Sequence, residues 1–396
     1  MRILLVSFFY EHEHGGAEMV AREAAKLLRH ELDWEVDVLC LAGGKEHGDP
    51  TVFRMAPPTG FRGDGQALKR AILFLPNRLL DNWLLQAAHR TGVQPAEYDA
   101  VFCPDMNAIV LAHQIAESAN IPLNVWCQEV TPKRMDGAAT RSSLAPSINR
   151  WLTGRDRPWR KALQASQRVA SVSDFIRTRT AGFAGETDHP DKYVTLYQPV
   201  EEYFLQNPVR TVSADGPSRV LFYGRLSAEK GIDLLLDVWR QIQPEATLSI
   251  LGMEGPLSEC AREAANQEGI TLLPPVPHAE VPAIMAGHDI VCCPSRVEES
   301  LCRTALEARL MERVVVAGAS GAIPEVLKDY PLAHLANVRE AESGGNNPEK
   351  ELIAALKAAL SDRRELTAEE QEREAIFRQQ FSPETFLDGF EQLLNG

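Results

Sequence analysis

The sequence predicts an α/β chain built from two doubly wound domains. Its 396 residues are too many for one ordinary core and suit two domains of about 200 residues each. Short apolar and β-branched runs alternate with helical patterns from end to end. Continuous apolar strands between helices are typical of parallel sheets that are covered on both faces. Two such series occur, one on each side of a proline-rich segment, and we therefore expect two such sheets.

The candidate strands follow from these apolar runs. In the first series they are 3–9, 36–41, 100–102, 123–126, 169–172 and 193–196. In the second series they are 220–223, 247–251, 270–273, 290–293 and 314–317.

The break between the series lies in 198–218, where Pro199, Pro208 and Pro217 accompany Gly216. Proline and glycine at this density indicate an interdomain connection. We predict an N-terminal domain over 1–198, a linker over 199–218 and a C-terminal domain over 219–375. The tail 376–396 is predicted to be a helix that bridges both domains and packs back on the first. Its apolar stripe consists of Phe386, Phe390, Leu393 and Leu394 at helical spacing.

Composition excludes several classes of protein. A net charge of −14 argues against general nucleic-acid binding, which needs a broad basic surface. Most of the seven cysteines lie in apolar runs, which favours free thiols in a reducing compartment. The first apolar run is short and meets Glu11 at once, so it indicates a strand instead of a signal peptide. No run approaches the ~18 apolar residues of a membrane span. These features predict a soluble, cytoplasmic protein.

The segment 133–168 is locally basic within this acidic chain. It holds nine Lys or Arg against two Asp, with Trp151 and Trp159 interleaved. A second basic and apolar face is expected in 61–85. These segments form either a solvated insert around a soluble acceptor or a dock for an anionic acceptor or a membrane surface. The second alternative predicts peripheral contact with the inner face of a membrane.

Three motifs lie where chemistry is expected. The pair Gly15 and Gly16 comes shortly after the first strand and before a helical run. It permits close backbone approach to an anion at a helix N-terminus, although a tight turn explains it equally well. Arg225 ends a predicted strand and Lys230 follows five residues later. Two cations at that edge of a sheet suit a diphosphate, whereas the alternative is an ordinary surface pair.

The third motif follows the strand 290–293. Glu299 lies in the loop after it, and Glu307 lies about one and a half turns into the next helix. One carboxylate suits sugar hydroxyls and the other suits a ribose diol. The backbone N–H groups of Leu301, Cys302 and Arg303 fall at the helix N-terminus, where a phosphate is stabilised. Two Glu eight residues apart also occur by chance, so the interpretation depends on the context.

Together these motifs resemble the retaining glycosyltransferases of family four, of the group 1 glycosyl transferases. The matching runs are GGAE, VSDFIRTRT, YQPVEEYF, GRLSAEKGIDLLL, ILGMEGPL, EESLCRTALEA and GAIPEVL, and they extend over nearly the whole chain. The resemblance implies the glycosyltransferase-B fold of two facing Rossmann-like domains. It also implies transfer of a hexose from a UDP- or GDP-linked sugar to a glycan or lipid-linked acceptor received by the N-terminal domain.

The resemblance assigns roles residue by residue. Arg225 and Lys230 would bind the donor diphosphate and, with Glu299 at the sugar, would form the catalytic group. Glu307 would hold the ribose, Val276 would face the nucleobase, and Gly15 and Gly16 would close over the phosphates. Leu301, Cys302 and Arg303 would donate N–H groups in the same loop as Ser300. No metal or other cofactor is implied, and the chain has no Asp-x-Asp triplet.

This chain departs from the family pattern at two places. Ser300 and Cys302 stand where the family usually has glycine, and Gln128-Glu129 stands where many members have His-Asp. Two alternatives therefore stay open. One is a nucleotide-sugar epimerase that uses Glu129 and Glu299 as acid and base. The other is a non-catalytic relative that binds nucleotide sugars.

Overall fold

The structure, a computed structural model, describes most of the chain. The described residues are 1–8, 10, 16–41, 48–56, 77–129, 156–206, 216–242, 245–339, 346–362 and 364–395, with the side chains of 16–20 and 77–80 excepted. They divide into two compact units. The first comprises Met1–Gln198 with Phe386–Gly396, and the second comprises Pro199–Thr385.

The first unit is a parallel α/β unit. Its strands are β1 (Arg2–Val6), β2 (Glu35–Leu41), β3 (Val52–Met55), β4 (Ala100–Cys103), β5 (Leu123–Cys127), β6 (Arg168–Ser171) and β7 (Tyr193–Thr195). The helices between them are α1 (Gly16–His30), α2 (Asn77–Arg90), α3 (Ile109–Ala119), α4 (Asp156–Ala165) and α5 (Asp174–Ala184). All pairings are parallel, in the order β3-β2-β1-β4-β5-β6-β7. Every residue of β4 and β5 is buried, so both faces of the sheet are covered.

The second unit repeats this architecture. Its strands are β8 (Ser218–Arg225), β9 (Ala246–Met253), β10 (Ile270–Leu272), β11 (Ile290–Cys293), β12 (Val314–Gly318) and β13 (Ala333–Ala336). Its helices are α6 (Glu202–Leu205), α7 (Ile232–Trp239), α8 (Ser258–Ala264), α9 (Val281–Ala286), α10 (Arg303–Leu310), α11 (Ile323–Val326), α12 (Pro348–Ser361) and α13 (Ala368–Gln379). The parallel order is β10-β9-β8-β11-β12-β13.

The prediction of two Rossmann-like domains is confirmed. Of the thirteen strands in the described residues, eleven coincide with predicted strands, with ends that differ by at most three residues. The sequence interpretation missed β3 and β13, and both are edge strands. Their sequences VFRM and AHLA include residues that are only partly buried or exposed. A central strand has an apolar sequence because both of its faces are covered, whereas an edge strand has no such requirement.

The last helix, α14 (Pro383–Asn395), carries the predicted apolar stripe. Phe386, Phe390, Leu393 and Leu394 are all buried, in the core of the first unit. The ring centroids of Phe386 and Trp126 lie 5.0 Å apart, and those of Phe390 and Phe102 lie 4.7 Å apart. Burying one such ring stabilises a fold by about 1.5–3 kcal/mol. The boundary between the two units falls inside this helix, between Thr385 and Phe386.

A buried ion pair joins α13 to α10. Arg309 donates from Nε and Nη2 to the two carboxylate oxygens of Glu374, at 2.7 and 2.8 Å. The same guanidinium lies 3.4 Å from the ring centroid of Phe377 and donates to the carbonyl of Val326 at 2.7 Å. Because both charges are buried, each depends on the other for compensation. The pair holds α10 against α13.

Part of the predicted basic segment is described, namely α4. Trp159 is buried in the core of the first unit, so this tryptophan is not available to a membrane surface. Arg157, Arg160 and Lys161 are exposed. Residues 133–155, with Trp151, and most of 61–85 lie outside the described residues. No helix among the described residues has the length and apolar character that crossing a bilayer requires.

Candidate active site at the carboxyl edge of the second sheet

The strand order of the second sheet places a crevice between β8 and β11. The chain builds β8, β9 and β10 in one direction and then returns to add β11 on the other side of β8. Ligands of open α/β sheets bind at such a reversal, outside the carboxyl ends of the strands. Arg225 is the last residue of β8, and Glu299 lies in the loop that follows β11. Both predicted residues therefore come to this edge.

Arg225 offers a cation at this edge. Its side chain is exposed, and among the residues that the structure describes it has no hydrogen bond or ion pair. An exposed guanidinium keeps its charge at any physiological pH and presents donors in a fork that matches phosphate oxygens.

Lys230 is paired with Glu299. Its Nζ donates to Oε1 of Glu299 at 2.6 Å, and Ser295 Oγ donates to the same oxygen. Burial acts to lower the pKa of Lys230, but the Glu299 carboxylate outweighs it, so the pKa of Lys230 is raised. Lys230 therefore stays charged in a half-buried position. An ammonium group has three hydrogens, so this pairing leaves others for a ligand.

Two glycines shape the loop that carries Glu299. Gly231 has φ +75°, and a Cβ atom there would lie 2.1 Å from the carbonyl oxygen of Pro294. Gly321 has φ +63°, and a Cβ atom there would lie 2.3 Å from the carbonyl oxygen of Glu299. The N–H of Ala322 donates to that same carbonyl at 2.9 Å. The loop thus packs directly on backbone, which only glycine permits at these two positions.

Cys302 keeps a glycine-like backbone at the start of α10. Its φ is +61°, in the left-handed region, which L-residues other than Asn and Asp adopt at a cost in free energy. The resemblance to the glycosyltransferases of family four predicts glycine at this position. In the described part of the chain, the backbone N–H groups of Leu301, Cys302 and Arg303 donate to no protein acceptor. They remain as the free donors of a helix N-terminus, and Ser300 precedes them, half-buried.

Glu307 is the most buried acid of the site, with 1% of its surface exposed. Its Oε1 accepts from Nε of Arg303 at 3.1 Å and contacts Nε2 of His278 at 3.2 Å. Its Oε2 is buried and has no hydrogen-bond partner among the described residues. Buried carboxylate oxygens are normally satisfied, so this oxygen is available to a ligand donor.

His278 and Glu201 complete a charged cluster that sequence reasoning missed. Glu201 is bonded to Arg303, and its Oε1 lies 3.6 Å from Nδ1 of His278. The nearby carboxylates of Glu201 and Glu307 raise the pKa of His278 to about 9. Burial acts to raise the pKa of Glu201, but the contact with His278 and the charge of Arg303 lower it to about 2. Two cations therefore face two anions at neutral pH.

Glu201, His278 and Glu307 also have the residue types of a metal site. One ligand atom from each lies within 4.8 Å of the others. Arg303, however, bonds to both carboxylates, and His278 is held between them with its pKa raised. These cation–carboxylate contacts account for the grouping without an ion, because a metal would have to displace both cations.

The structure thus brings the predicted residues into two groups. Lys230 and Glu299 form one pair, and Arg303 and Glu307 form another on α10. Val276 is half-buried in a loop between exposed prolines, two residues before His278. Gly16 begins α1 in the first unit, and Gly15 lies outside the described residues. Neither spacing nor residue type indicated that Glu201 or His278 belongs to the site, since both lie in segments whose sequences are typical of loops.

Comparisons with known proteins show which families this fold and site resemble. Residues 206–375 match the model of the glycosyl transferases group 1. This segment of the chain is thus similar to the group 1 glycosyl transferases.

Individual relatives agree with that family. A lipopolysaccharide 1,2-N-acetylglucosaminetransferase of Salmonella typhimurium is 27% identical over 194 residues, which cover 45% of this chain and 48% of the relative. The chain thus matches about half the length of that relative.

Solved structures resemble the chain over its whole length. HepE of Anabaena, in complex with UDP, has a TM-score of 0.68 at 18% identity and covers all of both chains. Sucrose-phosphate synthase of Thermosynechococcus elongatus has a TM-score of 0.70 at 15% identity, over 100% of this chain and 98% of its own. At such identities the likeness concerns the fold, which is that of the glycosyltransferase-B proteins.

Proposed function

We propose that this protein is a retaining, metal-independent glycosyltransferase that moves a hexose from a UDP- or GDP-linked donor to a glycan or lipid-linked acceptor. One observation carries the proposal. In the segment that matches the group 1 glycosyl transferases, cations, free N–H groups and a buried acid with one unpaired oxygen gather at the switch point of the sheet. These are the groups that the diphosphate and the ribose of a nucleotide sugar require.

The diphosphate would meet Arg225, Lys230 and the N-terminus of α10. Charge-assisted hydrogen bonds to phosphate are about twice as strong as neutral ones, and the N–H groups at a helix start add to them. In the reaction the bond between the sugar C1 and the phosphate oxygen breaks, and a bond from C1 to the acceptor oxygen forms. The acceptor's proton passes to the leaving phosphate. Arg225 and Lys230 stabilise the charge on that phosphate, and stabilisation of developing charge is usually the largest contribution to rate.

The donor sugar and the nucleoside have their own partners. Glu299 accepts from sugar hydroxyls, while Lys230 and Ser295 hold its carboxylate in place. Glu307 accepts from the ribose through Oε2. HepE has been solved with UDP-glucose and the Salmonella relative is named for N-acetylglucosamine transfer to lipopolysaccharide. Both support a hexose donor here, and the second supports a glycan acceptor.

A thermal-shift screen with UDP, GDP, ADP and their sugars tests the donor class. A nucleotide present at about 100 times its dissociation constant should stabilise the fold by about 2.7 kcal/mol. No shift with any of them would refute the proposal. Turnover of the stabilising sugar is then followed in excess EDTA, where activity should persist. Loss of activity that manganese or magnesium restores would contradict the metal-free mechanism.

Product analysis separates the enzyme from its alternatives. Proton NMR of the product should show the anomeric configuration of the donor. Inversion of that configuration would refute retention. An isomerised nucleotide sugar would indicate an epimerase, and tight binding without turnover of any acceptor would indicate a non-catalytic relative.

We also propose that the protein contacts the surface of a membrane that carries a lipid-linked acceptor. Arg157, Arg160 and Lys161 are exposed on α4, and each basic residue near an anionic surface contributes about 1 kcal/mol. The protein should sediment with anionic liposomes, less so at high salt, and less after all three are replaced by Glu. Equal recovery in the supernatant with and without anionic lipid would exclude this contact.

A further inference from the structure

The two oxygens of Glu307 differ in their surroundings. Oε1 lies within hydrogen-bond distance of Nε of Arg303 and of Nε2 of His278, at 3.1 and 3.2 Å. Oε2 is buried and lacks a partner among the described residues. Leaving a buried acceptor unpaired costs free energy, and a ligand that donates to it recovers that cost. The carboxylate is therefore arranged so that one oxygen is occupied and the other is vacant.

His278 is itself held from its far side. Its Nδ1 lies 2.7 Å from the hydroxyl of Tyr203 and 3.6 Å from Oε1 of Glu201. Glu201 also bonds to Arg303, which bonds to Glu307. The four charged side chains thus close a ring in which acids and bases alternate. Each cation contacts both acids, so loss of one member leaves two others short of a partner.

The chain before His278 is stiff. Pro274, Pro275 and Pro277 leave only Val276 with a free φ in the four residues before it. The histidine then begins the short 3₁₀ turn His278–Glu280. Its ring is fixed by this backbone and by Tyr203, whereas Arg303 sits on the same helix as Glu307, one turn earlier. Two donors from different elements therefore converge on one oxygen.

We propose that His278 is a positioning residue that orients Glu307 so that its Oε2 accepts a hydrogen bond from the donor's ribose. With Arg303 alone, the carboxylate can rotate and place both oxygens against the guanidinium. A second donor on Oε1 from a separate loop prevents this rotation. The inference rests on the proposed function, and it adds a residue outside the resembling motifs. Through Val276, it also joins the loop predicted to face the nucleobase to the acid that holds the ribose.

Titration calorimetry with UDP and with its 2′-deoxy and 3′-deoxy forms tests this role. If GDP is the better ligand in the screen, the guanosine series replaces them. In His278→Ala, affinity for the ribonucleotide should fall about tenfold, as expected for the loss of an aligned hydrogen bond to a charged group. Affinity for the deoxy form that lacks the bonded hydroxyl should change less than twofold. His278→Gln should restore part of the preference, since its amide can donate to Oε1.

His334 provides a matched control. It is half-buried, and its Nε2 lies 3.2 Å from Oδ2 of Asp362, the same distance that separates His278 from Glu307. His334→Ala should leave the preference for the ribonucleotide unchanged. Thermal unfolding of every variant checks that it is folded, and His278→Gln keeps the test valid if His278→Ala does not fold.

The outcomes separate this inference from the proposed function. Equal loss of affinity for the ribo and deoxy forms in His278→Ala would show a structural role and overturn the inference. No loss for either form would overturn it too. A wild-type protein without any preference for the ribonucleotide would remove Glu307 as the ribose ligand, and the inference with it, while the donor class stands. A wild-type protein that binds no nucleotide would overturn both.

Discussion

Replacing Glu307 by glutamine changes one property of the site and keeps its shape. The amide oxygen of Glu307→Gln can still accept from Arg303 and His278, because those donors point at a single oxygen. The amide nitrogen then stands where Oε2 was, so the position that accepted a hydrogen bond now donates one. A ribose hydroxyl loses its charged acceptor at that point.

The expected magnitudes differ for binding and for stability. A hydrogen bond to a charged group contributes about 1.5–3 kcal/mol, so nucleotide affinity should fall by about 10- to 150-fold. Stability should fall by only about 1–3 kcal/mol, less than the total of about 5–15 kcal/mol. The loss stays small because His278 can release its proton once Glu307 is neutral, which restores the balance of charge with Glu201 and Arg303.

Calorimetry with UDP and GDP measures the first quantity, and urea unfolding measures the second. Glu312→Gln serves as the control, since Glu312 lies just beyond α10 and pairs with Arg378 at 3.2 Å. It should leave nucleotide affinity unchanged. Unchanged affinity in Glu307→Gln would refute the assignment of Glu307. If the folded fraction of Glu307→Gln falls as much as its nucleotide affinity, the expectation that this variant keeps the shape of the site is refuted.

Three further predictions follow from the same geometry. The pKa of His278 is raised from its ordinary value to about 9, so its contribution to stability and affinity is complete below about pH 6.5 and is lost as the pH rises through 9. Its ring faces Glu201, Glu307, Tyr203 and Phe204. When the free energy of unfolding and the nucleotide affinity are measured between pH 7 and 10, the decrease expected of the wild-type protein should be absent in His278→Gln. Glu374→Ala should lower the free energy of unfolding by about 3–5 kcal/mol in urea because it leaves Arg309 buried and unpaired, and a loss below 1 kcal/mol would contradict this. Gly321→Ala should lower both the turnover number and the free energy of unfolding, since the new Cβ would overlap the Glu299 backbone, and wild-type kinetics and stability would contradict that packing.

The elements that could be predicted from the sequence are those whose burial produces a pattern of apolar residues along a short stretch of chain. Central strands such as β4 and β11 are apolar throughout because they are covered on both faces, and that pattern is visible without a structure. The edge strands β3 and β13 lack it. The terminal stripe of α14 was equally visible, since helical spacing marks the buried face.

Some residues of the site could likewise be predicted from their place in the sequence, and others could not. Arg225, Glu299 and Glu307 follow strands or lie on the helix after one, and the carboxyl edge of a parallel sheet gathers such residues. His278 and Glu201 come together only because the loop after β10 and the segment before α6 both reach α10. Such a meeting depends on tertiary structure, and nothing in the local sequence specifies it. The sequence also predicted that Lys230 binds a diphosphate, but it gave no sign of the pairing of Lys230 with Glu299.

That pairing decides how the site meets its donor. Before a ligand arrives, the Glu299 carboxylate neutralises Lys230, whereas Arg225 is exposed and has no partner among the described residues. The first attraction for a diphosphate therefore comes from Arg225 and from the free N–H groups at the start of α10. Lys230 can then share its remaining hydrogens with a phosphate oxygen while it keeps its bond to Glu299. In the proposed reaction the same ammonium would touch both Glu299, the acid proposed to bind the sugar, and the leaving phosphate. It would therefore tie the orientation of the donor sugar to the charge that develops when the sugar departs.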